Sequence, residues 1–487
     1  MTALITKVFA NPSVPQKSPF ETEAVLLRDI DSVMELDRSD VFCHELISSP
    51  GKTSVAEELI TNLSLHDAVS LAIKNHLQTR TARARVEEAR GLKWQSASPL
   101  LPHVDAGISQ KRTGRENLEA LGFKGGGLIG PFNTFDARFQ LTQSVLDLSA
   151  FARYLAGRND YRIAEYREVL TEQKVTVMTT LAYLEALRAF GEYKAAQADY
   201  ALAVRLFSQA ENQQKAGIST GVDVARADTR VAEENFRVAQ AVAVLHDAFL
   251  TMQRLTGLLY TSQIRLVNTL RFFEEPVFSM DEAIGIAREE RLELKIARES
   301  VRASKHELSA ARAEVLPKVA FSGNAGLSGI TPDDHDRFVG EGMLVARMPI
   351  FQGGEIAGQI KSASSRRTQE EIMRDDLVRQ VEEDVHMSLW AVETSFEQVK
   401  AAGKTVLLAR RELEMARHRF TEGVGDNVEV VSAQTKVAQA KEVYLSALTQ
   451  YHTSRINFYF AMGKTEAFSL SPALNAGTKG GQKEMPS

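Results

Sequence analysis

The chain has 487 residues, 25% charged and 44% hydrophobic, with a formal net charge of −5; this balance is that of a folded protein and excludes nucleic-acid binding through bulk positive charge. The single cysteine, Cys43, excludes an internal disulfide framework and a cysteine-rich metal site. No apolar run approaches about 18 residues, which argues against a membrane-spanning helix but not against a membrane β-barrel, whose strands are short and alternating.

Residues 1–60 carry no apolar periodicity and predict an extension, disordered or an atypical targeting segment. "MTALITKVFANPS" lacks the apolar core of a secretory signal. From Leu63 the segment "LSLHDAVSLAIKNHLQTRTARARVEEA" has helical spacing and runs into the Leu-Pro break at Pro102. The residue before a proline avoids the α region, so the helix ends and a strand follows. Strands are expected over about 102–111 and 135–146. In the second, Phe135, Ala137, Phe139 and Leu141 alternate with Asp136, Arg138, Gln140 and Thr142, the period of a sheet with one apolar face. The intervening "KGGGLIG" lacks the Lys-Ser/Thr of a phosphate loop and reads as a loop between strands.

No proline lies between Pro131 and Pro276, which permits very long helices. One is predicted over about 148–215, on the order of 100 Å at about 1.5 Å per residue. After a tight turn, Val224, Val231, Val238, Leu245 and Met252 recur every seven residues, the seam of a left-handed coiled coil. The chain then repeats itself. "FSMDEAIGIAREERLELKIARESVRAS" from Phe278 lies over the segment at Leu63, and Pro317 falls 215 positions after Pro102. Strands are expected over about 318–328 and 341–351, a second long helix over 353–421, and a heptad seam at Val430, Val437, Tyr444, Tyr451 and Phe458. Two repeats follow, over 61–262 and 276–466, with a disordered tail over 467–487. The fold class expected is mainly α with a small β part: long coiled-coil hairpins and four amphipathic strands per chain. Four strands cannot close a barrel, and an open edge does not survive in lipid, so a homotrimer with twelve strands is predicted.

One pair of side chains invites chemistry. Glu383 and His386 have the i, i+3 spacing of di-iron bundles, but Leu181 occupies the matching position of the first copy, so a solvated helix face is expected. No nucleophile–base pair or metal cluster is evident, so neither an enzyme nor a cofactor is predicted. A soluble coiled-coil scaffold is the alternative class; it has no use for four alternating strands at two matched breaks.

The two hairpin tips, "QKAGISTGVDVARAD" and "RFTEGVGDNVEVVSAQ", with "LSLHDAVSLAIKNH" and "MPIFQGG", resemble the TolC family of outer-membrane efflux proteins over about 60–465. The resemblance implies a trimeric duct in the outer membrane of a Gram-negative bacterium: a twelve-stranded transmembrane barrel continued by a helical tunnel through the periplasm. It implies a periplasmic adaptor and an inner-membrane transporter of RND or ABC type as partners, in efflux or type I secretion. Adaptor contacts are implied at Gly217, Thr220, Asp223, Val224, Gly423, Glu429 and Val430, and an entrance aperture at Asp223, Phe420, Glu429 and Ser432. Glu429 stands where the family has Asp, Ser432 where some members have a second acid, and Gly425 where some have Arg. No basic partner is therefore evident for the two tip carboxylates, which are expected to form a cation-binding ring.

Overall fold

A computed structural model describes residues 60–114, 116–117, 127–217, 219–274, 278–333, 337–422, 424 and 427–468. In chain order these form β1 (Ile60–Leu63), α1 (Leu65–Asn75), α2 (Leu77–Ala97), β2 (His103–Thr113), the short β3 (Glu116–Asn117) and β4 (Leu128–Ile129), and β5 (Phe132–Leu146). Then follow α3 (Leu148–Lys215), α4 (Gly221–Thr256), β6 (Gln263–Leu266), α5 (Met280–Glu290) and α6 (Leu292–Ala313). Last come β7 (Lys318–Gly329), β8 (Arg337–Arg347), α7 (Glu355–Thr421) and α8 (Asn427–Ala461). The predicted N-terminal extension before Ile60 and the tail beyond Phe468 lie outside the described residues. The described residues form two compact units, one within 77–172 and 288–382, the other within 60–76, 173–287 and 383–468.

The first unit contains the sheet, ordered β2-β5-β7-β8 and antiparallel throughout. Each repeat supplies one hairpin, and the β5–β7 pair joins the copies. The register places Ala106 opposite Phe139, Phe139 opposite Ala325, and Ala325 opposite Gly340. Partners directly opposite share a face, so Val104, Ile108, Phe135, Phe139, Leu141, Phe321, Leu327, Phe338 and Leu344 form one apolar face across all four strands. It is open within the chain: Ile108 is 80% exposed and Phe338 74%. On the opposite face Arg138 pairs with Asp136 (2.6 Å) and donates to Asn324 Oδ1 (3.2 Å). Val339, Met343 and Val345 interrupt that polar face on β8.

The fourth strand lies earlier than its pattern suggested. β8 ends at Arg347 rather than 351, because Pro349 offers no N–H to a ladder and Gly353 and Gly354 then turn the chain with positive φ into α7. Both Leu-Pro breaks end a helix. Leu101, before Pro102, is extended (φ −102°, ψ 156°) after a single 3-10 turn, as steric contact with the proline ring requires. Pro317 stands between α6 and β7.

Beside that second break a charged cluster ties the start of α3 to the end of α6. Glu314 accepts hydrogen bonds from Ser149 Oγ (2.6 Å), Lys318 Nζ (2.6 Å) and Arg153. Burial by itself would raise the Glu314 carboxyl; the bonds from Lys318, Ser149 and Arg153 outweigh it and hold the pKa at about 2. The stabilisation is complete above the ordinary carboxylate pKa and is lost as pH falls through that range toward 2. Glu314→Ala leaves Lys318 and Arg153 without this partner and is expected to cost about 2 kcal/mol. Hydrogen exchange should show it as faster amide exchange at the start of β7 at pH 7.

The second unit is a helical bundle. In the hairpin of α7 and α8, Val399, Val406 and Leu413 interlock with Val430, Val437, Tyr444 and Tyr451, each series in steps of seven. The α3–α4 hairpin buries Tyr183, Leu184, Leu187 and Tyr193 against Leu245, Phe249 and Met252. The parallel pair β1–β6 closes this core, with the Tyr183 hydroxyl 3.0 Å from the Leu63 carbonyl and 2.9 Å from Asn268 Oδ1. The two heptad seams are not equally covered. Val224, Val231 and Val238 are only half-buried, whereas Val430, Val437 and Tyr444 are buried. A seven-residue period selects which face is apolar, not what covers it.

Candidate functional site

The tips are built by ordinary helix-end chemistry. α3 ends at Lys215, and Gly217 takes φ +75°, the left-handed conformation that glycine adopts without Cβ strain. Thr220 then caps α4. Its hydroxyl accepts from the Asp223 N–H, and the Asp223 carboxylate accepts from the Thr220 N–H (3.0 Å) and hydroxyl (2.6 Å), a reciprocal capping box. These bonds, from the Thr220 side chain first and its backbone second, lower the Asp223 pKa. In the second tip α7 ends at Thr421, with the Val424 N–H donating to the Arg419 carbonyl (2.9 Å), and α8 begins at Asn427. Gly423 and Gly425 lie outside the described residues.

The structure places the tip residues as follows. Both carboxylates have basic neighbours: Arg226 Nη1 lies 3.6 Å from Asp223 and Arg419 Nη1 3.7 Å from Glu429. The cations come from the flanking helices, one turn away from Asp223 and from the opposite arm for Glu429, rather than from the position of Gly425. Val430 is fully buried in the α7–α8 seam, and Phe420 packs against the same seam. Exposed apolar residues at the tips are Val222 (59%), Val424 (74%) and Val428 (45%). They were legible as valines off the heptad register. Val224 is half-buried, Thr220 and Ser432 are exposed, and Asp223 is half-buried by its cap.

Glu383 and His386 are exposed on α7, and among the described residues no three His, Cys, Asp or Glu side chains are grouped to hold a metal. No described helix is long and apolar enough to cross a membrane.

Long helical hairpins in two copies, together with a four-stranded antiparallel sheet that has an exposed apolar face, define a class of paired-hairpin proteins with two internal repeats. The family model described as outer membrane efflux protein matches residues 68–258 and 283–464. The chain belongs to this family, the TolC family. Among curated relatives it is 23% identical over 402 residues to the outer membrane protein TolC of Escherichia coli, covering 79% of each chain. It is 24% identical over 410 residues to the alkaline protease secretion protein AprF of Pseudomonas aeruginosa, covering 82% of this chain and 84% of that protein. Among solved structures, the CmeC outer membrane channel of Campylobacter jejuni superposes with a TM-score of 0.72 at 18% identity, over 90% of this chain and 95% of that one.

Proposed function

We propose that the protein is the outer-membrane exit duct of a tripartite efflux pump or a type I secretion system, assembled as a homotrimer. The observation that carries this is the sheet: its apolar face is exposed across four strands while β2 and β8 have unpaired edges. Each unpaired backbone group in lipid costs several kcal/mol, and three such sheets, edge to edge, close a twelve-stranded barrel with no edge left. Family membership and relatives named for efflux and for protease secretion support a conduit of this kind. The partners follow: a periplasmic adaptor that meets the tips and an inner-membrane transporter, RND or ABC, that supplies energy. The exposed Val222, Val424 and Val428 are the apolar contacts offered to the adaptor.

The test is the mass of the detergent-solubilised protein. A value three times the 53.8 kDa chain, after subtraction of detergent, is expected; a stable folded monomer overturns the proposal.

The entrance reading rests on Glu429. Threefold repetition would place three of these carboxylates around one axis. Each is paired with Arg419 only at the solvent-exposed surface, where an ion pair is worth about 0–1 kcal/mol. In planar bilayers, Glu429→Gln is expected to lower cation selectivity and weaken block by divalent cations, whereas Asp223→Asn, whose carboxylate is engaged in a helix cap, does less. Unchanged selectivity and block in Glu429→Gln would remove Glu429 from the aperture.

A further inference from the structure

The two edge strands of the sheet, β2 and β8, carry charges in a matching pattern. On the polar face β2 has Asp105 and Lys111, and β8 has Glu341 and Arg347, each pair six residues apart. All four are exposed and form no ion pair with a described residue. The two strands lie at opposite edges of one sheet, so they can meet only across two copies of the chain. The helix that leads into β2 also lacks a neighbour. Leu292, Ala303 and Ala310 are buried on α6, which touches α3 through Glu314. Their counterparts 215 positions earlier on α2, Leu77, Glu88 and Gln95, are exposed, Leu77 to 76%. By contrast Val301 of α6 and its counterpart Val86 of α2 are both buried.

We propose that β8 of one copy pairs antiparallel with β2 of the next in a single register, with residues 339–347 opposite 105–113, so that Glu341 faces Lys111 and Arg347 faces Asp105 across the seam. The inference rests on the trimeric reading and adds to it which residues join the chains. Both oppositely charged pairs stand directly opposite in this register and in no other. A shift of one residue would bring the polar face of one chain against the apolar face of the next, and a shift of two leaves Lys111 opposite Met343 or Val339. The seam also keeps the faces continuous: Ile108 meets Leu344 on the apolar side, and Ser109 meets Met343 on the polar side. Barrel geometry favours the same choice over a copy of the internal β5–β7 junction. Val104 leads through Leu141, Gly323 and Gly342 to Gln110 of the next chain, an advance of six residues per chain. Over twelve strands, with a rise of about 3.3 Å and a spacing of about 4.8 Å, this gives a tilt of about 46°, close to the usual range of about 35–45°. A copy of the β5–β7 junction would set Ser109 opposite Val345, advance eight residues per chain and tilt the strands by about 54°.

The test is disulfide trapping in the detergent-solubilised full chain carrying Cys43→Ser, which removes its one cysteine. Ser109→Cys with Met343→Cys marks the proposed register, and Ser109→Cys with Val345→Cys marks the copy of β5–β7. Within one chain either pair is three strand spacings apart, roughly 14 Å, beyond the reach of a disulfide, so a link reports two copies. Oxidation should join chains through Met343→Cys about tenfold more than through Val345→Cys, since a diagonal pair is about 7–8 Å apart. Arg347→Asp, which sets a like charge against Asp105, should speed dissociation of the trimer about tenfold, and adding Asp105→Arg should restore the original rate. Should these variants fail to assemble, Glu341→Lys with and without Lys111→Glu makes the same comparison at the other end of the seam. Preferential linking through Val345→Cys, or through neither pair, overturns the proposal, as does a charge swap that restores nothing. In each of these cases a mass of three chains leaves the trimer standing. A monomeric mass overturns the reading on which the seam rests, and the seam with it.

Discussion

Gly326→Val should destroy the sheet. Gly326 lies on β7 opposite Arg138 of β5, the strand pair that joins the two repeats. A Cβ there would stand 2.1 Å from the Ala137 carbonyl oxygen and 2.6 Å from the Arg138 Cα. Both obstacles are backbone atoms, so no side-chain rotation can relieve the contact. β5 and β7 must separate, and the paired N–H and C=O groups on either side lose their partners. Each such loss in an apolar surrounding costs several kcal/mol. The expected result is loss of strand signal in circular dichroism. Gly342→Ala, on the neighbouring β8, is the control, because a Cβ there meets only Phe321 ring atoms at 3.7 Å, an ordinary contact. Equal behaviour of the two variants would show that β5 and β7 are not paired in this register.

The second large effect is acid sensitivity set by one histidine. His452 on α8 is fully buried, with Nε2 3.0 Å from the Arg271 carbonyl and Nδ1 2.9 Å from Arg455 Nη1. A guanidinium can only donate and a carbonyl can only accept, so Nδ1 is unprotonated and Nε2 carries the hydrogen. Arg455 is itself buried, with its guanidinium 4.4 Å from the Phe273 ring centre and 5.2 Å from that of Phe468. Burial first, and the Arg455 charge second, push the His452 pKa down to about 3.

The unfolded chain takes up this proton near pH 6.5 and the folded chain only near pH 3. Between those values the unfolded state binds more protons, so stability is retained above pH 6.5 and falls as pH decreases. The slope approaches about 1.4 kcal/mol per pH unit for each chain, or about 2 kcal/mol by pH 5. His452→Gln keeps a donor for the Arg271 carbonyl and an acceptor for Arg455 but does not titrate. Its thermal midpoint should be nearly flat between pH 7 and pH 5, while that of the unaltered protein drops. Parallel pH profiles in the two proteins would show that other groups dominate the acid response.

The repeat, the helix–strand–strand–helix order and the long helices were legible because each has a local cause. Proline at 102 and 317 ends a helix wherever it occurs, a seven-residue apolar period marks a seam, and alternation marks a half-apolar strand. The Thr220–Asp223 cap was equally local, a side chain bonding backbone three residues away. What sequence could not supply were contacts between segments far apart in the chain. The Arg419–Glu429 approach depends on how α7 and α8 are registered across their turn. The burial of Val430 and Phe420 depends on which residues face them from the opposite arm. The Lys318–Glu314–Arg153 cluster joins residues from both repeats, and His452 and Arg455 look like solvated helix residues until the segment around Arg271 and Phe273 covers them. The Lys441–Asp199 contact joins residues separated by 242 positions. Periodicity is a property of one helix or strand and is written along the chain. Pairing, burial and charge balance are properties of surfaces brought together, and only the tertiary packing selects which surfaces those are.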